Sequence, residues 1–149
     1  MLALPPHGAK DFVPHLMSPS PSLRVLLVED SVLLSARLAE LIGCLPDVAL
    51  VGTADTEAEA LDGIATTSPD VLILDLHLRT GTGFGVLRQL ARASTRPKII
   101  ILSNFGLPEY RREAETFGVE AFLDKSRDYF RLPSLLTGIA RKRCAHEAH

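Results

Sequence analysis

The chain has 149 residues, 46% of them hydrophobic and 23% charged, and a formal net charge of −2. That is enough for one domain with a sizeable core, and it gives no charge excess to draw the chain onto nucleic acid. No apolar run approaches the roughly 18 residues of a membrane span and no apolar signal segment opens the chain, so a cytoplasmic protein without membrane insertion or direct DNA binding is expected.

Residues 1–22 carry five of the ten prolines and show no periodicity. They are read as a flexible N-terminal extension, with Phe12, Val13, Leu16 and Met17 as its apolar residues. Pattern begins with VLLV (25–28), a first strand that runs into Glu29 and Asp30. SVLLSARLAELIG then places Leu34, Leu38, Leu41 and Ile42 on one helical face. VALVG (48–52) is a second strand; Thr56 and Glu59 fit a capping box, and Ala58, Leu61 and Ile64 make the stripe of a second helix. VLIL (71–74) is a third strand, ending in Asp75. GTGFG (81–85) lacks the spacing of a phosphate-cradling loop and is read as a turn; the helix after it buries Val86, Leu87 and Leu90. IIIL (99–102) is a fourth strand, followed by Ser103 and Asn104. LPEYRREAETFG has Pro108 in its first turn and Gly118 at its end, as a helix should. AFL (121–123) is a short fifth strand before Asp124 and Lys125, and RLPSLLTGIARKR is a last helix with Leu135, Leu136 and Ile139 inward.

The core domain is thus placed at 23–141, and the polar residues 142–149 are expected to fray as a C-terminal tail. Cys44 and Cys144 lie 100 positions apart in no metal-type spacing. Cys44 reads as a small core residue near a helix end, Cys144 as a free thiol. The strands are continuous apolar runs, the pattern of strands covered on both faces. Five of them alternating with five helices predict an open, doubly wound parallel sheet. Such sheets bind ligands beyond the carboxyl ends of their strands, at a switch in strand order.

The polar residues of this chain collect at those ends. If strand one lies between strands two and three, Glu29, Asp30 and Asp75 converge, and three close carboxylates cannot all stay ionised unaided. A hard divalent cation such as Mg²⁺ accepts oxygen donors and relieves the repulsion. Lys125 adds a movable positive charge and Ser103 a hydroxyl. A carboxylate, a cation site, an ammonium and a hydroxyl suit phosphoryl transfer, with aspartate as the nucleophile on phosphorus. Read singly, each residue has a plainer role: Asp30 as a helix cap, Lys125 as a solvated side chain, Phe122 as core, Ser103 as a turn residue.

The ordered set Glu29–Asp30, Asp75 in LILDLHL, Gly83, Ser103, Phe122 and Lys125 resembles the receiver domain of two-component response regulators, over about residues 23–141. The resemblance implies a flavodoxin-like sheet of order 2-1-3-4-5. It implies Asp75 as phosphoacceptor, taking phosphate from a histidine kinase or histidine phosphotransfer protein. Glu29, Asp30, Asp75 and the backbone carbonyl of His77 would hold Mg²⁺. Lys125 would contact the phosphoryl group, and Ser103 and Phe122 would move as a switch. A receiver of this kind catalyses only its own phosphorylation and dephosphorylation. With 24 residues after Lys125, a stand-alone receiver is expected, acting on a downstream protein target. The contact face would be Tyr110, Arg111, Arg112, Phe122, Arg127, Tyr129 and Arg131, from the fourth helix, fifth strand and fifth helix; a homodimer is compatible with it. The alternative is a pseudo-receiver, a protein-binding module that is never phosphorylated. An aspartyl phosphatase would want an acid where His77 stands, and in a flavodoxin-like cofactor binder Glu29 and Asp30 would repel the phosphate.

Some positions depart from the family pattern. Ser126 stands where proline is common, so the Lys125–Ser126 bond is either trans, shifting the lysine, or a costly cis bond. Arg79 replaces a common proline in the loop after Asp75. Asn104 stands where alanine or glycine is frequent; with Phe105 and His77 it is expected to shield an acyl phosphate from water. Phe122 lacks the hydroxyl of the usual tyrosine, which leaves a steric switch only.

Overall fold

The computed structural model describes residues 22–104 and 107–147. Residues 1–21, Phe105, Gly106 and the last two positions lie outside the described residues, and so do the readings made on them. The strands are β1 (Leu23–Val28), β2 (Val48–Ala54), β3 (Val71–Leu74), β4 (Lys98–Ser103) and β5 (Ala121–Asp124). The helices are α1 (Val32–Gly43), α2 (Glu57–Thr67), α3 (Gly83–Leu90), α4 (Pro108–Glu115) and α5 (Leu132–Glu147), with a 3₁₀ turn at Tyr129–Arg131. All strands pair in parallel, in the order β2-β1-β3-β4-β5. The expected class, order and helix count are observed.

Alternate side chains of each strand supply two separate cores. Val25 and Leu27 pack with Leu38 and Ile42 of α1 and with Leu132, Leu136 and Ile139 of α5. Leu26 and Val28 pack with Ala60 of α2, Val86, Leu87 and Leu90 of α3 and Ala114 of α4. Every residue of β3 is buried, as a central strand with helices on both faces requires.

Several local expectations are corrected. Ala58 is exposed, and Ala60 takes its place in the buried stripe. Two positions turn a helix by about 200°, so the two alanines face opposite ways. Cys44 is exposed, because α1 ends at Gly43 and the cysteine is its C-cap, past the buried face. Gly83–Gly85 of the GTGFG stretch form the first turn of α3, capped by the Thr82 hydroxyl, which accepts from Gly85 N; only its start is a turn. The last helix extends past Arg141 to Glu147. Arg143 anchors it, donating through Nη1 to Asp70 Oδ2 (2.6 Å) and to the carbonyl of Ser22 (3.2 Å). Among the described residues no helix is long and apolar enough to cross a membrane.

Candidate functional site

The three strand ends converge because their hydrogen-bond ladders continue past the last apolar residue. Glu29 N donates to Ala54 O (2.9 Å), Asp75 N to Val28 O (2.9 Å), and Lys125 N to Ser103 O (2.9 Å). The backbone therefore carries each polar residue to the carboxyl edge of the sheet before the chain turns away. At the start of α1 the cap is Ser31, whose hydroxyl accepts from Leu34 N (3.2 Å). That leaves the Asp30 carboxylate to the cluster instead of the helix end.

Lys125 crosses this edge and joins two carboxylates. Its Nζ donates to Asp75 Oδ2 (2.8 Å) and to Glu29 Oε2 (2.9 Å), with Glu29 Oε1 also at 2.8 Å. Asp75 Oδ1 accepts from His77 N (3.0 Å), and Glu29 Oε2 from Ser31 N (3.0 Å). Asp75 is 2% exposed, as is Glu29. Burial raises the Glu29 pKa to about 7, against the lowering effect of the Lys125 and Ser31 hydrogen bonds, with the Asp75 charge raising it further. Burial likewise raises Asp75, against the hydrogen bonds from Lys125 and His77. For Lys125, burial pulls downward, but the bonds to Asp75 and Glu29 prevail and hold the ammonium above its usual value.

One oxygen from each of Glu29, Asp30 and Asp75 lies within 4.8 Å of the others. Glu29 Oε1, though close to the ammonium, is buried and accepts no well-directed hydrogen bond. A set of oxygen-only donors, one of them lacking a hydrogen bond, fits a hard divalent cation.

The peptide bond after Lys125 is trans, as are all described peptide bonds, yet the lysine still reaches the acidic cluster. The reason lies one residue earlier. Asp124 Oδ1 accepts from Ser126 N (2.8 Å), Ser126 Oγ (2.7 Å) and Arg127 N (3.1 Å), a side-chain turn that redirects the chain after Lys125. The Ser126 hydroxyl bond and its companions hold the Asp124 carboxyl below its usual range. Ser103 ends β4 and is 1% exposed. Asn104 is exposed.

Phe122, expected both as a switch and on the contact face, is 6% exposed and so lies beneath that face. Arg111 of α4 covers it, its guanidinium 4.6 Å from the ring centroid. Tyr110, Tyr129, Arg112, Arg127 and Arg131 are exposed as expected. Sequence reasoning missed Phe130, which is 69% exposed in the 3₁₀ turn. An aromatic residue between tyrosine and arginine in a polar stretch was the available signal.

A second feature escaped the sequence: the loop after Asp75 is stitched to the loop after β2. Arg79 donates to both oxygens of Asp55, Nε to Oδ2 and Nη2 to Oδ1, at 3.0 Å each. Arg79 N donates to Asp55 O (3.1 Å) and Glu57 N to Thr80 O (2.9 Å). Glu57 Oε1 accepts from Thr82 N (3.1 Å) and fills the space beside Gly81 and Gly85 that a Cβ at either would enter. Gly81 has φ of +81°, which only glycine adopts freely. The Arg79 hydrogen bond also draws the Asp55 carboxyl below its usual value.

A parallel 2-1-3-4-5 sheet whose central carboxyl edge gathers three carboxylates and a lysine is the architecture of a phosphorylation-dependent signalling domain. Residues 25–137 match the family model of the response regulator receiver domain, and the chain belongs to that family. It is 37% identical over 84 residues to a protein-glutamate methylesterase/protein-glutamine glutaminase of Myxococcus xanthus, covering 56% of this chain and 24% of that one. It is 32% identical over 103 residues to the transcriptional regulatory protein DesR of Bacillus subtilis, covering 69% and 51%. Among solved structures it resembles a DNA-binding response regulator of the LuxR family from Staphylococcus aureus (25% identity, TM-score 0.73, 79% of this chain and 98% of that one). The response regulator domain of Thermotoga maritima CheB shares the fold (23% identity, TM-score 0.70, 81% and 95%). The chain spans between 24% and 52% of the length of the first curated relatives it matches.

Proposed function

We propose that this receiver accepts a phosphoryl group on Asp75 from a phosphohistidine of a histidine kinase or phosphotransfer protein. An Asp75 oxygen attacks phosphorus; the new O–P bond forms as the P–N bond breaks, and the electron pair leaves on the imidazole, which takes a proton from solvent. Glu29, Asp30, Asp75 and the His77 carbonyl would hold Mg²⁺, which supplies charge neutralisation at the phosphoryl oxygens. Lys125 supplies the second positive charge, already directed at Asp75. Ser103 offers a hydroxyl to a third phosphoryl oxygen, and Phe122 follows it as a steric switch under Arg111.

The observation that carries this reading is the Lys125 ammonium bridging Asp75 and Glu29 at 2.8 Å each, from strands 50 and 96 positions apart. The signal then leaves through protein contacts on the α4–β5–α5 face, where Tyr110, Tyr129 and Phe130 supply exposed aromatic area and Arg112, Arg127 and Arg131 supply charge. The test is intact-mass measurement after incubation with acetyl phosphate and Mg²⁺. Wild type gains one phosphoryl group, and Asp75→Asn or EDTA abolishes the gain. An unmodified wild type would instead favour a binding module that is never phosphorylated.

A further inference from the structure

We propose that Arg79 and Asp55 form a clamp that positions the Asp75–His77 segment for cation binding, a role that rests on the phosphoacceptor reading above. The loop after Asp75 carries Arg79 and no proline before Gly83. A proline limits a loop through its own φ. Arg79 limits it through a partner: the planar guanidinium grips both Asp55 oxygens at 3.0 Å, a geometry fixed in distance and direction. The backbone pairs Arg79 N to Asp55 O and Glu57 N to Thr80 O extend the contact on either side, and Glu57 Oε1 closes it at Thr82 N. Between the clamp and Asp75 stand only three residues, and one of them, His77, donates its backbone N–H to Asp75 Oδ1. Asp55 and Arg79 also line the same groove, about 490 Å³, as Glu29 and Asp30. The clamp is therefore a neighbour of the acidic cluster as well as a tether for its loop.

The side chains are half-exposed to exposed, 59% for Arg79 and 33% for Asp55. An ion pair of that exposure adds little to global stability. Its effect is local: it removes freedom from a loop that presents cation ligands. Two physical effects predict opposite signs for Arg79→Ala. If Arg79 acted only through its charge, removing a cation beside an acidic site would tighten Mg²⁺ binding. As a positioning residue, its loss loosens the ligands and weakens binding. Arg79→Lys keeps the charge and loses the two-pronged grip, so it should follow Arg79→Ala.

The experiment is an NMR titration of the full chain with MgCl₂ in wild type, Arg79→Ala, Arg79→Lys, Asp55→Asn and Asp75→Asn, with amide hydrogen exchange read in the same samples. The Arg79 and Asp55 variants should weaken Mg²⁺ binding roughly threefold to tenfold, below the roughly 10- to 100-fold typical of groups that touch a ligand directly. Exchange should quicken at residues 76–82 and stay unchanged in β4 and β5. Mg²⁺ binding in Arg79→Ala as tight as in wild type, or tighter, overturns the clamp. A wild type that takes up no Mg²⁺ fails the phosphoacceptor reading and the clamp with it. Uptake that Asp75→Asn abolishes and Arg79→Ala leaves untouched fails the clamp alone.

Discussion

Lys125 Nζ lies 2.8 Å from Asp75 Oδ2 although the peptide bond that follows the lysine is trans. Asp124, by binding Ser126 and Arg127, turns the chain so that the ammonium still points into the cluster. Lys125 is the sole cation that the described ion pairs place on Asp75 and Glu29, and both carboxylates are buried.

Removing that cation should therefore cost more than a surface ion pair would. Lys125→Ala leaves two buried carboxylates facing each other. Breaking a buried pair from one side typically costs about 3–5 kcal/mol, and proton uptake by Glu29 relieves part of it. The expected loss is about 2–3 kcal/mol near neutral pH in EDTA, read from urea denaturation, with Mg²⁺ restoring part of it. A loss under roughly 0.5 kcal/mol, the range of ordinary surface substitutions, would show that the bridge holds nothing. Phosphorylation by acetyl phosphate should slow in the same variant.

The metal-free protein should become less stable as pH rises from about 5 to about 8. Burial lifts Glu29 from 4.5 to about 7 and lifts Asp75 as well. A carboxyl with a raised folded-state pKa binds its proton more tightly folded than unfolded. The stability it contributes is complete below the unfolded pKa of 4.5 and is lost as pH rises through about 7. Asp55 and Asp124 are shifted downward, so their contributions are lost in acid, outside this window. Melting in EDTA should thus occur at lower temperature at pH 8 than at pH 6, and less steeply so in Glu29→Gln. Mg²⁺ takes deprotonated ligands, so the rise in melting temperature that it produces should be larger at pH 8. A flat or rising profile for the metal-free protein refutes this.

The sheet and the central cluster were legible because both leave signals of short range. A strand covered on both faces writes an uninterrupted apolar run, and a carboxylate directly after such a run marks its end. Glu29, Asp30, Asp75, Ser103 and Lys125 all stand at such ends, and the structure brings Glu29, Asp30, Asp75 and Lys125 together. What was not legible depends on partners far away in sequence. Arg79 and Asp55 are 24 positions apart, and Arg143 and Asp70 are 73 apart; neither pair has a periodicity. The first holds the loop beside the site, and the second carries the last helix beyond its expected end. Phe122, read singly as core but also placed on the contact face, is buried, with the Arg111 guanidinium over its ring.

The glycines divide sharply in what they permit. A Cβ at Gly83 would come 2.8 Å from Leu76 Cα and closer still to the carbonyl oxygen of Asp75, both of them backbone. Nothing there can give way without moving the backbone at the end of β3. Gly83→Ala should destabilise by about 2–3 kcal/mol, the upper range of overpacking, and slow phosphorylation. At Gly138, inside α5, an added Cβ meets nothing within 4 Å. Gly138→Ala should stabilise by about 0.5–1 kcal/mol through helix propensity. Chemical denaturation of the two variants measures both; equal effects of the same sign would contradict the packing at Gly83.

Asn104 is exposed directly after the buried Ser103. It directly follows the residue whose hydroxyl is expected to meet the phosphoryl group. A larger side chain there should hinder the approach of water to the acyl phosphate and lengthen its life. Asn104→Ala should lose phosphate faster, by a few-fold, which corresponds to about 1 kcal/mol in the barrier. Loading both proteins with acetyl phosphate, removing the donor and following intact mass over time gives the two decay rates. Because Asn104 touches neither core, its melting temperature should stay unchanged, so a change in lifetime reports on the site and not on folding. Slower decay in the variant than in wild type would mean that Asn104 assists hydrolysis, and shielding would be the wrong account.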